Sequence, residues 1–538
     1  MTKPPATPPA IDYTDKDFRS LRDAMLRLAR LRLPEWTDES PADLGMLMVD
    51  LFAYAGDVML YYQDRIASEL FPGTATERQS VVDLLRLIGY ELSPAVPAVA
   101  DLLLTFTRPT TAQRVRVAHG TRFASRSQDG AAVLEYVYLG PDLDLDLLSD
   151  QLRPGDDPDL GPVVHYDGLP VEQSVAVDDV VLGSSTGEPN QTFRLPDPTV
   201  VVDSVVVQVN EGAGWVTWDR RDSLLFDISA DGRAVFSHPE ARHYQLLIDG
   251  TGTAHVVFGA GRRPPVGLSN VRASYRVCRG AAGNLGAGAI TQPLTPVPSL
   301  RAVVNPQGAA GGGDAERTDH AAKYAPFAFR STNRAVTTSD YVALAHSTGT
   351  VAKARAYSAS WNRIDLYVAP AGDSFRPVPE ALRHRLIGYF EDKRMAGTLV
   401  RVLDAQAVPV DITIELLTDE RFVSDAVASH VETAIAGLLA FDRVDFAQTL
   451  YQSDFYAVAE AVPGVLSSTI TTLRRADRPP ADLDAELARH NLPPLAELPP
   501  FLREAALSNI ATEGRIDIGE FEIPVLGALD VRVRTGAV

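Results

Sequence analysis

Apolar residues recur at three- and four-residue steps along one early stretch: Leu44, Leu47, Leu51, Tyr54, Val58, Tyr61 and Tyr62. That is the period of one helix face, and Phe52 with other apolar neighbours extends the greasy surface around much of the circumference. Ser40, Pro41 and Asp43 supply a start signal, and Pro72-Gly73 a stop. A helix of about 30 residues, roughly 45 Å long, is expected. Thr76 with Gln79 is expected to cap a second helix through Val82, Leu85 and Ile88, ended by Gly89. Upstream, Asp15 precedes Phe18, Leu21, Met25 and Leu28 at 3-4-3 spacing. This narrow seam packs either on the long helix of the same chain or on helices of other chains. Helices this apolar must be covered, by a large domain of their own chain or by a partner.

From about Val96 the period changes to two. DLLLTFT, RVRVAHGTRFAS, LEYVYL, TVVVDSVVVQV, GWVTW and YQLLID are short strand-like runs separated by Gly, Pro and Asp. An acidic loop is expected around Asp142–Asp159. NPQGAAGGGDAERTD, from Asn305 to Asp319, reads as a linker, with Gly311, Gly312 and Gly313 as its hinge. Beyond it helices and strands alternate. The expected architecture is an α+β multidomain chain. An N-terminal helical region spans 1–95, β-rich middle domains 96–304, and a Gly/Pro-rich linker 305–330. Two α+β domains follow at 331–405 and 406–475, then a Pro-rich excursion at 476–518 and a C-terminal strand at 519–538.

Length and charge narrow the class. At 538 residues the chain is long enough for about three or four domains. A formal charge of −20 argues against a nucleic-acid partner and against an anionic membrane surface. No run approaches 18 consecutive apolar residues, so no membrane insertion is expected. The single cysteine, Cys278, fits a reducing compartment, and MTKPPATPPAIDYTD contains no apolar signal segment; a cytosolic protein is expected.

Candidate chemistry is sparse. GSSTG, Gly183–Gly187, matches a nucleophile elbow, but EPNQTF follows where a helix is required, so a turn is expected. GAAGNLGAG, Gly280–Gly288, lacks dinucleotide-loop spacing. His238 and His243 flank a proline and do not share a helix face; Asp142, Asp144 and Asp146 lack the glycine and distal glutamate of a calcium loop. Trp215 and Trp218 read as core or domain-interface residues, with a sugar platform as the alternative. No catalytic residue, cofactor site or metal site is assigned.

Several segments, in order, resemble the baseplate J-like family of contractile-tailed phages and extracellular contractile injection systems. They are IDYTDKDF and the helical stretch DLGMLMVDLFAYAGDVMLYYQDRIASELFPGTATERQSVVDLLRLIGYEL; HVVFGAGRRPPVG with YRVCRGAAGNLGAGAIT; RAVTTSDYVALA with GTVAKARAYS; FDRVDFAQTLYQSDFYAVAEAVPGV; and GEFEIPVLGALDV. Ala260 replaces the family's usual polar residue, and Cys278 and Arg279 stand where glycine is usual. The resemblance implies a non-enzymatic structural subunit of the baseplate wedge. It implies an N-terminal bundle shared with neighbouring subunits and C-terminal domains that close a ring around the spike and hub. The partners so implied are a second, larger wedge protein, further copies of this chain, a sheath-initiating subunit and the spike and hub proteins, in a phage tail or injection particle. Phe18, Leu21, Met25, Leu28, Leu44, Leu51, Phe52, Tyr54, Val58, Tyr61 and Tyr62 are the expected helical interface. Phe521, Ile523 and Val525 are expected to pair as a strand across subunits, and the glycine hinge to reorient the halves on triggering. The competing expectations are a tail-associated hydrolase of cell-wall glycan, with a carboxylate pair in the β-rich middle, and a carbohydrate-binding module around Trp215 and Trp218.

Overall fold

The computed structural model describes residues 16–38, 40–71, 74–87, 90, 92–126, 132–158, 161–228, 234–249, 251–259, 261–318, 320–321, 334–477, 488, 493–499 and 514–536. Two compact units emerge, one built from residues 1–92 with 316–330 and the other from 93–315 with 331–538.

The first unit contains α1 (Phe18–Arg32), α2 (Leu44–Ser68) and α3 (Arg78–Leu87). Asp17, not Asp15, caps α1: its carboxylate accepts the Ser20 N–H while the Ser20 hydroxyl accepts the Asp17 N–H. Asp15 and the Pro-rich lead-in lie outside the described residues. α2 starts three residues later than Ser40 would place it, because Asp43 takes the Met46 N–H and the Trp36 indole N–H, both at 3.0 Å. It runs 25 residues and is capped at Glu69, short of Pro72-Gly73, which lies outside the described residues. Thr76 does not pair with Gln79; its N–H and hydroxyl both donate to Glu69. Ile88 and Gly89 also lie outside the described residues. α1 packs on α2 at a close approach: a Cβ on Gly56 would sit 2.9 Å from Leu21 Cδ1, and Arg22 Nε lies 2.7 Å from Asp50 Oδ1. Val81, Val82 and Leu85 of α3 form a small core with Tyr90, Leu92 and Ala321, which ties Ala321 to this unit.

The second unit opens with two seven-stranded sheets. The first is organised around Val99–Thr107, flanked by Gly161–Gln173 and Leu300–Val304. Its core includes Leu102, Leu104, Phe106, Phe123 and Tyr136. The second centres on Gly267–Val277 between Val175–Ser185 and Val200–Asn210, over a core of Val207, Val209, Trp218, Tyr244 and Phe258. The stretch expected as an acidic loop instead holds two strands, Leu143–Asp146 and Arg153–Asp157, because alternate positions such as Leu145 bury while the aspartates face out.

Two smaller α+β modules follow. Val351–Ser360, Arg363–Pro370 and Leu399–Asp404 form a three-stranded sheet. It packs with α4 (Thr338–Ser347) and α5 (Glu380–Phe390) around Tyr341, Leu366, Leu382 and Phe390. Val465–Arg475, Gln406–Asp419 and Glu522–Gly536 form another, packed with α6 (Ser424–Leu438) and α7 (Gln452–Glu460). Most of the Pro-rich excursion expected at 476–518 lies outside the described residues.

The three sheet-bearing parts nearest the junction meet at one buried carboxylate. Glu172, on the first sheet, reaches Arg276 of the second sheet at 3.4 Å and Arg385 of α5 at 2.5 Å. The glycine stretch crosses nearby and is no free linker. Ala309 to Gly313 are buried, and both N–H and C=O of Ala310 and Gly313 pair with Val99 and Val96.

Candidate subunit interface

α2 presents two opposite faces. Toward α1 it turns Met46 and Ala53, both buried, with half-buried Val49, Gly56 and Leu60. Asp43, Asp50, Asp57 and Asp64, seven residues apart, lie along this same side. The opposite face is apolar and open. Leu44, Leu47, Leu51, Tyr54, Val58 and Tyr61 form a 3-4-3-4-3 row whose members are between 36% and 72% exposed. Beside it runs a second row, of which only Phe52 and Tyr62 were expected: Met48, Phe52, Ala55, Met59, Tyr62 and Ile66, at 4-3-4-3-4 spacing. Both rows keep a seven-residue repeat, the period by which helices pack side by side in a supercoil. Phe71, also exposed, continues the surface past the helix end.

The long helix also revises one expectation. α2 is long and apolar enough to cross a bilayer by length and composition, although no run of 18 unbroken apolar residues exists. Asp50, Asp57 and Asp64 break every such run, and Asp50 is neutralised by Arg22 of α1. A lone helix in lipid would carry those carboxylates at considerable cost.

The residues expected on α1 divide. Phe18, Leu21 and Met25 are half-buried and Leu26 is buried, with Leu21 seated on Gly56 of α2. Leu28 is exposed with Leu31 and Leu33. The α1 seam is thus used chiefly inside the chain, and the exposed apolar face lies on α2.

Gly311, Gly312 and Gly313, expected as a hinge, are locked. Asn284 donates to the Gly312 carbonyl at 2.7 Å and accepts the Gly312 N–H at 2.9 Å. A Cβ on Gly312 would drive into the Gly280 carbonyl oxygen, so only glycine fits. Arg376 adds bonds to the Leu285 and Ala309 carbonyls.

Phe521, Ile523 and Val525 are likewise engaged within the chain. Ile523 is fully buried, Phe521 stacks on Tyr367 with centroids 4.0 Å apart, and Val525 pairs with Pro409. Glu522–Gly536 runs parallel to Gln406–Asp419 along nearly its whole length. It is the last strand of its sheet among the described residues, so its far edge is the part left for any partner strand.

Chemical motifs resolve as structure. Ser185 in GSSTG donates its hydroxyl to the Pro264 carbonyl, is buried, and is followed by a strand. Trp218 is core, edge-on to Phe258 at 5.0 Å. Trp215 lies under the Arg272 guanidinium at 4.1 Å, which leaves no sugar platform formed by the pair. His238 accepts a turn N–H from Glu240, and His243 begins a strand.

Residues 17–87 match the family model of the bacteriophage baseplate protein N-terminal domain, and residues 333–403 that of the baseplate J-like central domain. Among solved structures, a chain in the cryo-EM structure of the anti-feeding prophage (AFP) baseplate, six-fold symmetrised, is 10% identical. That alignment covers 94% of this chain and 90% of that one, with a TM-score of 0.33. A chain of the type VI secretion system TssK-TssF-TssG baseplate subcomplex is also 10% identical, covering 66% of this chain and 95% of that one, with a TM-score of 0.34. Likenesses this distant fix no residue's role in this chain. No curated protein matches.

Proposed function

We propose that this chain, which belongs to the baseplate J-like family, is the wedge subunit of a contractile injection system or phage tail. Its structural role in a baseplate is the premise. The finer reading is that it joins a second, larger wedge protein and further copies of itself to build the ring around the spike and hub. In that place it would receive the sheath-initiating subunit and couple triggering to contraction, after assembly in the bacterial cytoplasm.

The observation that supports this reading is the open face of α2. Twelve positions in two heptad rows stand in solvent on a helix whose other side is already taken by α1. Exposed apolar surface on this scale marks an interaction site, and its seven-residue repeat fits α-helices. A specific interface buries more than about 1,000 Å² around aromatic and aliphatic anchors, and Phe52, Tyr54, Tyr61 and Tyr62 are of that type.

The test is Leu51→Asp with Tyr54→Asp in the full chain. Both side chains are more than half exposed, so the fold should persist. Burying two unpaired carboxylates in a helix bundle should weaken association with the larger wedge protein at least about 100-fold. Unchanged co-purification would sink the proposal, as would flotation of the wild-type chain with phosphatidylcholine vesicles and no protein partner.

A further inference from the structure

The second unit carries another uncovered surface. Trp361 sits at the tip of the hairpin joining Val351–Ser360 to Arg363–Pro370 and is 92% exposed. The Leu399 N–H donates to the Asn362 carbonyl at 2.8 Å, which sets this exposed leucine beside the tip. On the same sheet face, Arg363 and Arg401 each lie 3.5 Å from one buried carboxylate, Asp365, so two cations share a single anion. Tyr357, opposite Asp365 in the ladder, is half-exposed. Trp, Tyr and Arg are the residue types that dominate interface energetics.

Charge identifies the occupant. Residues 333–403 hold 10 Lys and Arg against 6 Asp and Glu, a balance of +4 in a chain whose total is −20, which leaves −24 for the remainder. A second copy therefore meets this basic module with surface of opposite sign. Its densest acidic stretch is 141–158, with 6 Asp and 1 Arg. There Asp144, Asp150 and Asp156 are exposed around the exposed Leu148.

We propose that Trp361, Leu399, Arg363 and Arg401 dock on the acidic strands at 141–158 of a second copy of this chain. Each copy would offer one patch to one neighbour and the other patch to the next, a head-to-tail contact whose repetition builds a ring or a filament. The inference rests on the reading that several copies assemble, but it does not use α2.

The test places a photo-crosslinker in the full chain, Trp361→p-benzoylphenylalanine, mixed with isotope-labelled copies. Cross-links between differently labelled copies should map to 141–158 and fade as salt rises. They should vanish in Arg363→Glu with Arg401→Glu, and return when the labelled copy carries Asp144→Arg with Asp150→Arg. Trp361→Ala should weaken self-association about 30-fold. Cross-links that stay within one copy, map elsewhere or fail to form overturn the proposal, as does capture of a different acidic protein while copies ignore each other. Repeating the mixture with Leu51→Asp and Tyr54→Asp separates the two readings: cross-links that persist there support this contact even if helix pairing fails.

Discussion

The side-chain amide of Asn284 clasps the backbone of Gly312 with both its atoms, at 2.7 and 2.9 Å. Asn284 follows the glycine-rich turn after the second sheet, and it also donates to the Ala371 carbonyl at 3.2 Å. One side chain thus ties together three parts of the second unit. Movement about Gly311–Gly313 would have to break these bonds and the Val96 and Val99 pairing together. Any reorientation on triggering is better sought outside this junction.

Gly312→Ala should therefore destabilise the second unit by about 3 kcal/mol, because the new methyl meets backbone rather than a yielding side chain. Asn284→Ala should cost less, about 1–2 kcal/mol, by removing its bonds to three backbone groups, the Gly312 N–H and the Gly312 and Ala371 carbonyls. Thermal unfolding with limited proteolysis across 305–318 reads both. A Gly312→Ala chain as stable as wild type would restore the hinge.

Glu172 offers a second probe of the same junction. Glu172→Ala would leave Arg276 and Arg385 without their shared anion. Full burial would make the loss about 3–5 kcal/mol; both arginines are partly solvated, so about 2 kcal/mol is expected. Denaturant unfolding reads that loss, and hydrogen exchange should show the α5 amides exchanging faster than in wild type.

Leu21→Asp with Met25→Asp is a folding probe rather than an interface probe. Leu21 lies on Gly56 inside the α1–α2 pair, so the double change should lower helicity and expose α1 to protease in the isolated chain. Leu51→Asp with Tyr54→Asp should leave both readouts unchanged. Equal circular-dichroism melts for the two variants would contradict the assigned faces.

The turn from α2 to α3 should be acid-sensitive. Burial raises the Glu69 pKa, but N–H and hydroxyl bonds from Thr76, the Ser80 hydroxyl and the Glu77 N–H outweigh it and hold the carboxyl down at about 2. A depressed carboxyl stabilises the fold above its ordinary value of 4.5 and loses that contribution as pH falls toward 2. Wild-type chain should lose order at the turn across that window, while Glu69→Gln, already lacking the charge, should change little there. Hydrogen exchange at Thr76 and Glu77 measures it.

Periodicity alone determined much of this protein. Three- and four-residue steps marked α2 and alternation marked the strands, because such local signals follow from backbone geometry. Tertiary structure decided which face of α2 stays open, since sequence spacing cannot tell a stripe covered by α1 from one awaiting another chain. It also turned a glycine-rich stretch from linker into buried crossing point. Glycine serves a flexible chain and a crowded backbone equally well, and only the neighbours, Asn284 and the Gly280 carbonyl, distinguish them.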